Sequence, residues 1–194
     1  MLKTKDIEQL LLDKINASAL KDTGYQCESG SRYVELRNIC FTVDKPYIFK
    51  CLQSYDRVSP RWYEENYTPK IGKQLDNVID RIADNPLTRQ AVILMSDSNG
   101  MMTDNVCTMY MHVMLDRNEL GSYDMDYIVH MRSSDAVEFG NDIKWHMKII
   151  SMIRAALYAR EVPVCTCKVI WNADTFHVYD NCFEKILESN DYIN

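Results

Sequence analysis

The chain has 194 residues, 46% of them apolar, with a net charge of -6 at neutral pH. At this length one core buries about two thirds of the surface of the unfolded chain, so a single domain spanning 1–194 is expected, and the acidic balance excludes a non-specific duplex-binding surface, which needs clustered Lys and Arg. Seven cysteines without a C-x-x-C pair, behind a polar opening, indicate a reduced, cytoplasmic protein, and no run approaches the roughly 20 apolar residues of a membrane span.

Residues 5–16 place Ile7, Leu10, Leu11 and Ile15 on one stripe, which predicts an opening amphipathic helix. Residues 21–31 read as a loop. Residues 33–43 alternate and are rich in β-branched and aromatic side chains, which predicts a strand or hairpin with Arg32 at its entrance. Residues 44–70, with Pro46, Pro60 and Pro69, read as mostly irregular. From Ile71 the spacing of Leu75, Val78, Ile79 and Ile82 predicts a helix that stops before Asn85-Pro86, because a residue preceding proline is pushed out of the helical region.

Residues 90–95, 106–115 and 127–131 are apolar runs of strand length, the first two flanking a polar turn at 96–100. A long helix is expected over 142–158, with Ile143, Met147, Ile150, Ile153 and Leu157 on its buried stripe. Residues 165–171 and 176–179 read as two short strands, and 183–187 as a last helical turn. Several strands interrupted by two substantial helices, without strict alternation, predict an α+β sandwich.

Arg132-Ser133-Ser134-Asp135 follows an apolar strand and precedes a helix. Arginine offers a bidentate fork to phosphate and serine a hydroxyl donor, so the cluster suits an anion, although the same residues also make an ordinary solvated turn. Cys107, placed within a strand, reads as a small buried hydrophobe as readily as a nucleophile. His177 and Tyr179 share one strand face, and Asp142 sits in the first turn of a helix, where a carboxylate is favoured without any functional demand.

The order of these parts, from about Arg32 to Tyr179, resembles thymidylate synthases and the related pyrimidine nucleotide hydroxymethylases. Ile71-Gly72-Lys73-Gln74 is similar to the family's Tyr-Gly-Lys-Gln segment, and residues 85–95 with Arg89 to its arginine-plus-strand segment. Arg132-Ser133-Ser134-Asp135 with Gly140 resembles the Arg-Ser-x-Asp block, and residues 174–179 the Gly-Asp-x-His-x-Tyr strand with one residue inserted.

The resemblance implies a thymidylate synthase-like fold, a mixed β-sheet with packed helices, and sheets stacked across a homodimer interface. It implies that Cys107 is the nucleophile and that Asp135 holds the site's backbone and water network. Arg32, Arg89, Arg132 and Ser133 would grip the phosphate of a pyrimidine nucleoside monophosphate, Arg89 reaching in from the second subunit, and His177 and Tyr179 would bond the sugar 3′-hydroxyl. After Gly140 the family places an asparagine in uracil-specific enzymes and an aspartate in cytosine-specific relatives. Asp142 therefore points to dCMP or CMP and to cytidylate 5-hydroxymethylation. The spacing from Asp135 is one residue short of the family's, and the adjacent Asn141 would restore a uracil reading, as a dUMP methylase or hydroxymethylase.

The implied one-carbon donor is 5,10-methylenetetrahydrofolate, with Trp62 available to stack its pterin; no metal and no direct nucleic-acid contact are implied. The chain departs from the family in several places. No glutamate lies between Pro46 and Pro60, leaving Glu64 and Glu65 as the nearest substitutes, and Thr108 and Val106 flank Cys107 in place of the family's histidine and proline. The segment that closes over the folate is expected to be absent or short after Tyr179. These losses leave open a nucleotide-binding protein without turnover, and a third class would use Cys165, Cys167, His177 and Cys182 on a metal.

Overall fold

The structure is a computed structural model that describes residues 1–27, 30–48, 60–95, 106–184 and 186. The α+β architecture expected from the sequence is the one observed. Among the described residues, eight strands form one mixed sheet. Leu2–Lys3 (β1) leads directly into helix α1, Thr4–Asn16, whose Ile7 and Leu11 are buried. Lys21–Cys27 (β2) and Gly30–Thr42 (β3) form an antiparallel pair.

Helices α2 (Pro60–Asn66) and α3 (Thr68–Asp84) precede the short strand β4, Val92–Leu94. The antiparallel pair β5 (Thr108–Arg117) and β6 (Tyr123–Met131) leads through β7 (Ser134–Asp135) into α4, Phe139–Tyr158. Strand β8 (Val164–Tyr179) closes the sheet, followed by a 3-10 turn at Asp180–Cys182. The spatial order is β1-β3-β8-β6-β5-β4, with β2 added to β3 and β7 added to β8.

Strand β8 organises the sheet. Its first part runs parallel to β6, its second part runs parallel to β7, and β3 lies antiparallel along it from Tyr33↔Tyr179 to Thr42↔Ile170. The sequence predicts two short strands here because the buried parity changes: Val169, Trp171 and Ala173 face inward, then Phe176 and Val178. Backbone pairing carries one strand through that change of phase. β3 changes phase at the same level, from Val34 and Leu36 to Phe41, around Asn38, whose φ of 50° is left-handed.

Three other expectations are corrected. Residues 21–27 form a strand rather than a loop. Their polar side chains give no apolar alternation, and pairing to β3 alone supplies the order. The segment read as irregular contains α2 and the start of α3, because Pro60 and Pro69 occupy first-turn helix positions, where a missing N–H costs nothing; residues 49–59 lie outside the described residues. Cys107 stands one residue before β5 rather than within it. The turn at 96–100 also lies outside the described residues.

The sheet's inner face packs against α1, α3 and α4 around Phe41, Tyr127, Phe139 and Trp171. The predicted stripe of α3 is buried as expected. At the outer edge of β4, Gln74 imitates a neighbouring strand: its Nε2 donates to the Leu94 carbonyl (2.8 Å) and its Oε1 accepts the Leu94 N–H (2.9 Å). Gln74→Ala is expected to cost about 1–2 kcal/mol in urea unfolding, since it strands two backbone groups at a sheet edge. No helix among the described residues is long and apolar enough to cross a membrane.

Candidate active site

Cys107 is half-buried where the chain enters β5. Its carbonyl accepts the Arg132 N–H (2.9 Å), and the Arg132 side chain folds back so that Nε donates to the Val106 carbonyl (3.2 Å). The end of β6 is thereby locked to the entry of β5 beside Cys107. The Cys107 N–H donates to the hydroxyl of Tyr67 (3.2 Å). The hydroxyl of Thr108, the departure from the family's histidine, bonds the same phenol.

Asp142, in the first turn of α4, is only 8% exposed. Tyr63 on α2 donates its phenol hydrogen to Oδ1 of Asp142 at 2.7 Å. Asn141 is half-buried, its Nδ2 donating to Glu138 (2.9 Å). Of these two adjacent residues, Asp142 is the more buried, and its charge is felt at Cys107.

Electrostatics tie these groups together. Burial pushes the Asp142 carboxyl up to about 7; the Tyr63 donor opposes this, and the Glu138 and Asp135 charges reinforce it. Burial also raises the Cys107 thiol, with Arg132 pulling it down and Asp142 and Asp135 pushing it up. For the protein alone, desolvation thus outweighs the single guanidinium beside the thiol. Arg132→Gln should raise the thiol further and slow iodoacetamide labelling of the Cys107 peptide at pH 8 by about threefold, measured by mass spectrometry.

Asp135 accepts the Val137 N–H (2.9 Å), and its charge is felt at Cys107, Asp142 and His177 alike, so it stands among all three. His177 lies directly across from Asp135 on β7 and from Glu35 on β3. Burial lowers its pKa while both carboxylates oppose that shift. The Ser133 hydroxyl is 3.4 Å from its Nδ1, and Thr175 donates to the same hydroxyl (3.3 Å). Tyr179 meets the His177 ring edge-on. His177 and Tyr179 share one strand face, as the sequence indicates.

Two of the expected arginines are exposed. Arg32 is exposed and forms an ion pair with Asp180 (3.0 Å). Arg89 is exposed before β4, its carbonyl 3.1 Å from His112 Nε2. Trp62, 40% exposed, packs on Tyr63 and Tyr67. Glu64 is engaged by Thr68 and Lys148, and Glu65 is exposed. The metal constellation is not assembled: Cys167 and His177 are ten residues apart on one strand, about 33 Å at the rise of a strand. Among the described residues no other such group is arranged for a metal ion.

Sequence reasoning missed Tyr63, Tyr67 and Glu138. The four-residue spacing of Tyr63 and Tyr67 is a signal for one helical face, hidden by reading their segment as irregular.

No family model matches the chain, and no curated protein matches it significantly. Among solved structures, the chain is similar to the thymidylate synthase from T4 phage, with a TM-score of 0.60 and 14% identity, over 95% of this chain and 80% of that one. The fold is thymidylate synthase-like.

Proposed function

We propose that the protein transfers a one-carbon unit to C5 of a pyrimidine nucleoside monophosphate, with Cys107 as nucleophile, acting as a cytidylate 5-hydroxymethylase. The observation that carries this reading is the convergence of Cys107, Asp142 and Asp135 on one half-buried place in a thymidylate synthase-like fold, with Arg132 beside the thiol.

In this reading the Cys107 thiolate bonds to C6 of the pyrimidine, and the C5=C6 electron pair makes C5 a carbon nucleophile. C5 gains a carbon and gives up its proton; the C6–S bond then breaks and the thiolate leaves. The product carries CH2OH in place of hydrogen, its hydroxyl taken from water. Asp142 in its neutral form donates to cytosine N3 and accepts from the 4-amino group. Keeping Asp142 neutral also removes one of the two carboxylates that oppose ionisation of Cys107.

Arg132 and Ser133 bind the phosphate, and His177 and Tyr179 the sugar hydroxyl. Arg89, exposed at the β4 edge, serves the site of the other protomer in a homodimer. Methylenetetrahydrofolate, when bound, supplies a carbon at the oxidation level of formaldehyde. Trp62 suits its flat ring, with an exposed indole that touches Tyr67, which in turn touches Cys107.

Incubation with dCMP and methylenetetrahydrofolate, followed by chromatography, should yield 5-hydroxymethyl-dCMP. Consumption of dUMP alone would replace cytidylate with uridylate, and nucleotide binding without any product would make the protein a binder that has lost the chemistry.

A further inference from the structure

Tyr63 is buried in the middle of α2, stacked on Trp145 (centroids 6.0 Å, planes 24° apart) and edge-on to Tyr67 and Trp62. Aromatic packing on three sides fixes the ring and aims its hydroxyl at one oxygen of one carboxyl group, Oδ1 of Asp142. Neither the mechanism above nor the resemblance gives Tyr63 a role.

A carboxyl group that carries a proton offers one donor and one acceptor. If the proton moves freely between the two oxygens, the group presents either order. Cytosine needs a donor facing N3 and an acceptor facing the 4-amino group, whereas uracil needs the reverse, an acceptor facing N3–H and a donor facing O4. A neutral carboxyl with a mobile proton therefore serves both bases. An oxygen that already accepts a buried O–H is the poorer place for the proton, so Oδ1 remains the acceptor and Oδ2 becomes the donor.

We propose that Tyr63 is the specificity-determining residue of this pocket: its O–H, seated on Oδ1 of Asp142, fixes the order of donor and acceptor shown to a pyrimidine edge. The inference rests on the reading of Asp142 as the residue that meets the base. Among the described residues, the ionisable groups whose charge is felt at Asp142 or Tyr63 belong to the account: Tyr67 between α2 and α3, Glu138 at the start of α4, Asp135 on β7 and Cys107 before β5.

The test is calorimetric titration of dCMP and dUMP into the full chain and its Tyr63→Phe variant across pH 5.5 to 8.5. Phenylalanine keeps the ring packing and removes only the donor. The wild type should prefer dCMP by about tenfold or more, and Tyr63→Phe should bring the two within about threefold, because a buried hydrogen bond of this kind is worth about that factor. The midpoint above which dCMP binding is lost should also rise in the variant, since the Tyr63 donor favours the ionised carboxylate. Tyr67→Phe, which touches Cys107 rather than Asp142, should leave the preference intact.

A purely packing role would weaken both nucleotides equally and leave the midpoint in place. An unchanged preference or an equal loss for both bases overturns the role of Tyr63 while leaving the functional reading standing. Failure of the wild type to bind either nucleotide overturns that reading, and this inference with it.

Discussion

Replacing Cys107 with alanine is expected to abolish turnover, lowering kcat by about 10⁴-fold or more, while dCMP affinity changes by less than about threefold. The disproportion follows from the geometry. Among the described residues, Cys107 is the thiol that feels both Arg132 and Asp142, and the residues assigned to the phosphate, sugar and base are all different side chains. The thiol contributes a bond made only during reaction, so its loss falls on kcat. Rapid-quench product analysis alongside calorimetry separates the two quantities, and equal losses in both would mean that Cys107 is a packing residue.

The second large effect is expected from Asp142→Asn. The carboxyl is buried and its pKa is raised from 3.8 to about 7, so the folded state holds its proton more tightly than the unfolded chain does. Stability is therefore lost as pH rises through the window from about 4 to about 7, and above that window the burial of the carboxylate is opposed in full. An amide carries no such penalty. Asp142→Asn should match the wild type in urea unfolding at pH 4 and exceed it at pH 8 by on the order of 2–4 kcal/mol. The same substitution should flatten the pH dependence of dCMP binding, which in the wild type falls about tenfold per unit above pH 7. A variant that loses stability at pH 8 would place Asp142 in an ion pair rather than in a desolvated pocket.

Both residues were legible in the sequence, but for different reasons. Cys107 and the Arg132–Asp135 block carry order and spacing that resemble a family, and the long apolar stripes of α3 and α4 have strong periodicity, so these elements appear where expected. Asp142 was ambiguous against Asn141 because adjacent helix positions differ by about 100° in direction, and only the packing of α4 decides which one turns inward. The aromatic cluster was not legible. Tyr63 and Tyr67 act through contacts to residues 40 or more positions away, and local proline content pointed to irregular structure.

The raised pKa of the thiol was not legible either, because a nearby arginine is visible in sequence, whereas the burial that outweighs it is a property of the assembled fold. Likewise, the single long β8 was hidden by its change of buried parity. Arg32 had been assigned to the phosphate by family order alone, which says nothing of a partner such as Asp180.

The claim on which the rest depends is that Cys107 attacks a pyrimidine ring. Incubating the protein with 5-fluoro-dCMP and methylenetetrahydrofolate, then digesting it and measuring peptide masses, tests this directly, because fluorine at C5 cannot leave as the proton does and the C6–S bond persists. The account predicts a stable nucleotide adduct on the Cys107 peptide that is lost in Cys107→Ala. An unmodified Cys107 peptide from protein shown to bind the nucleotide, or an adduct on another cysteine, would contradict it.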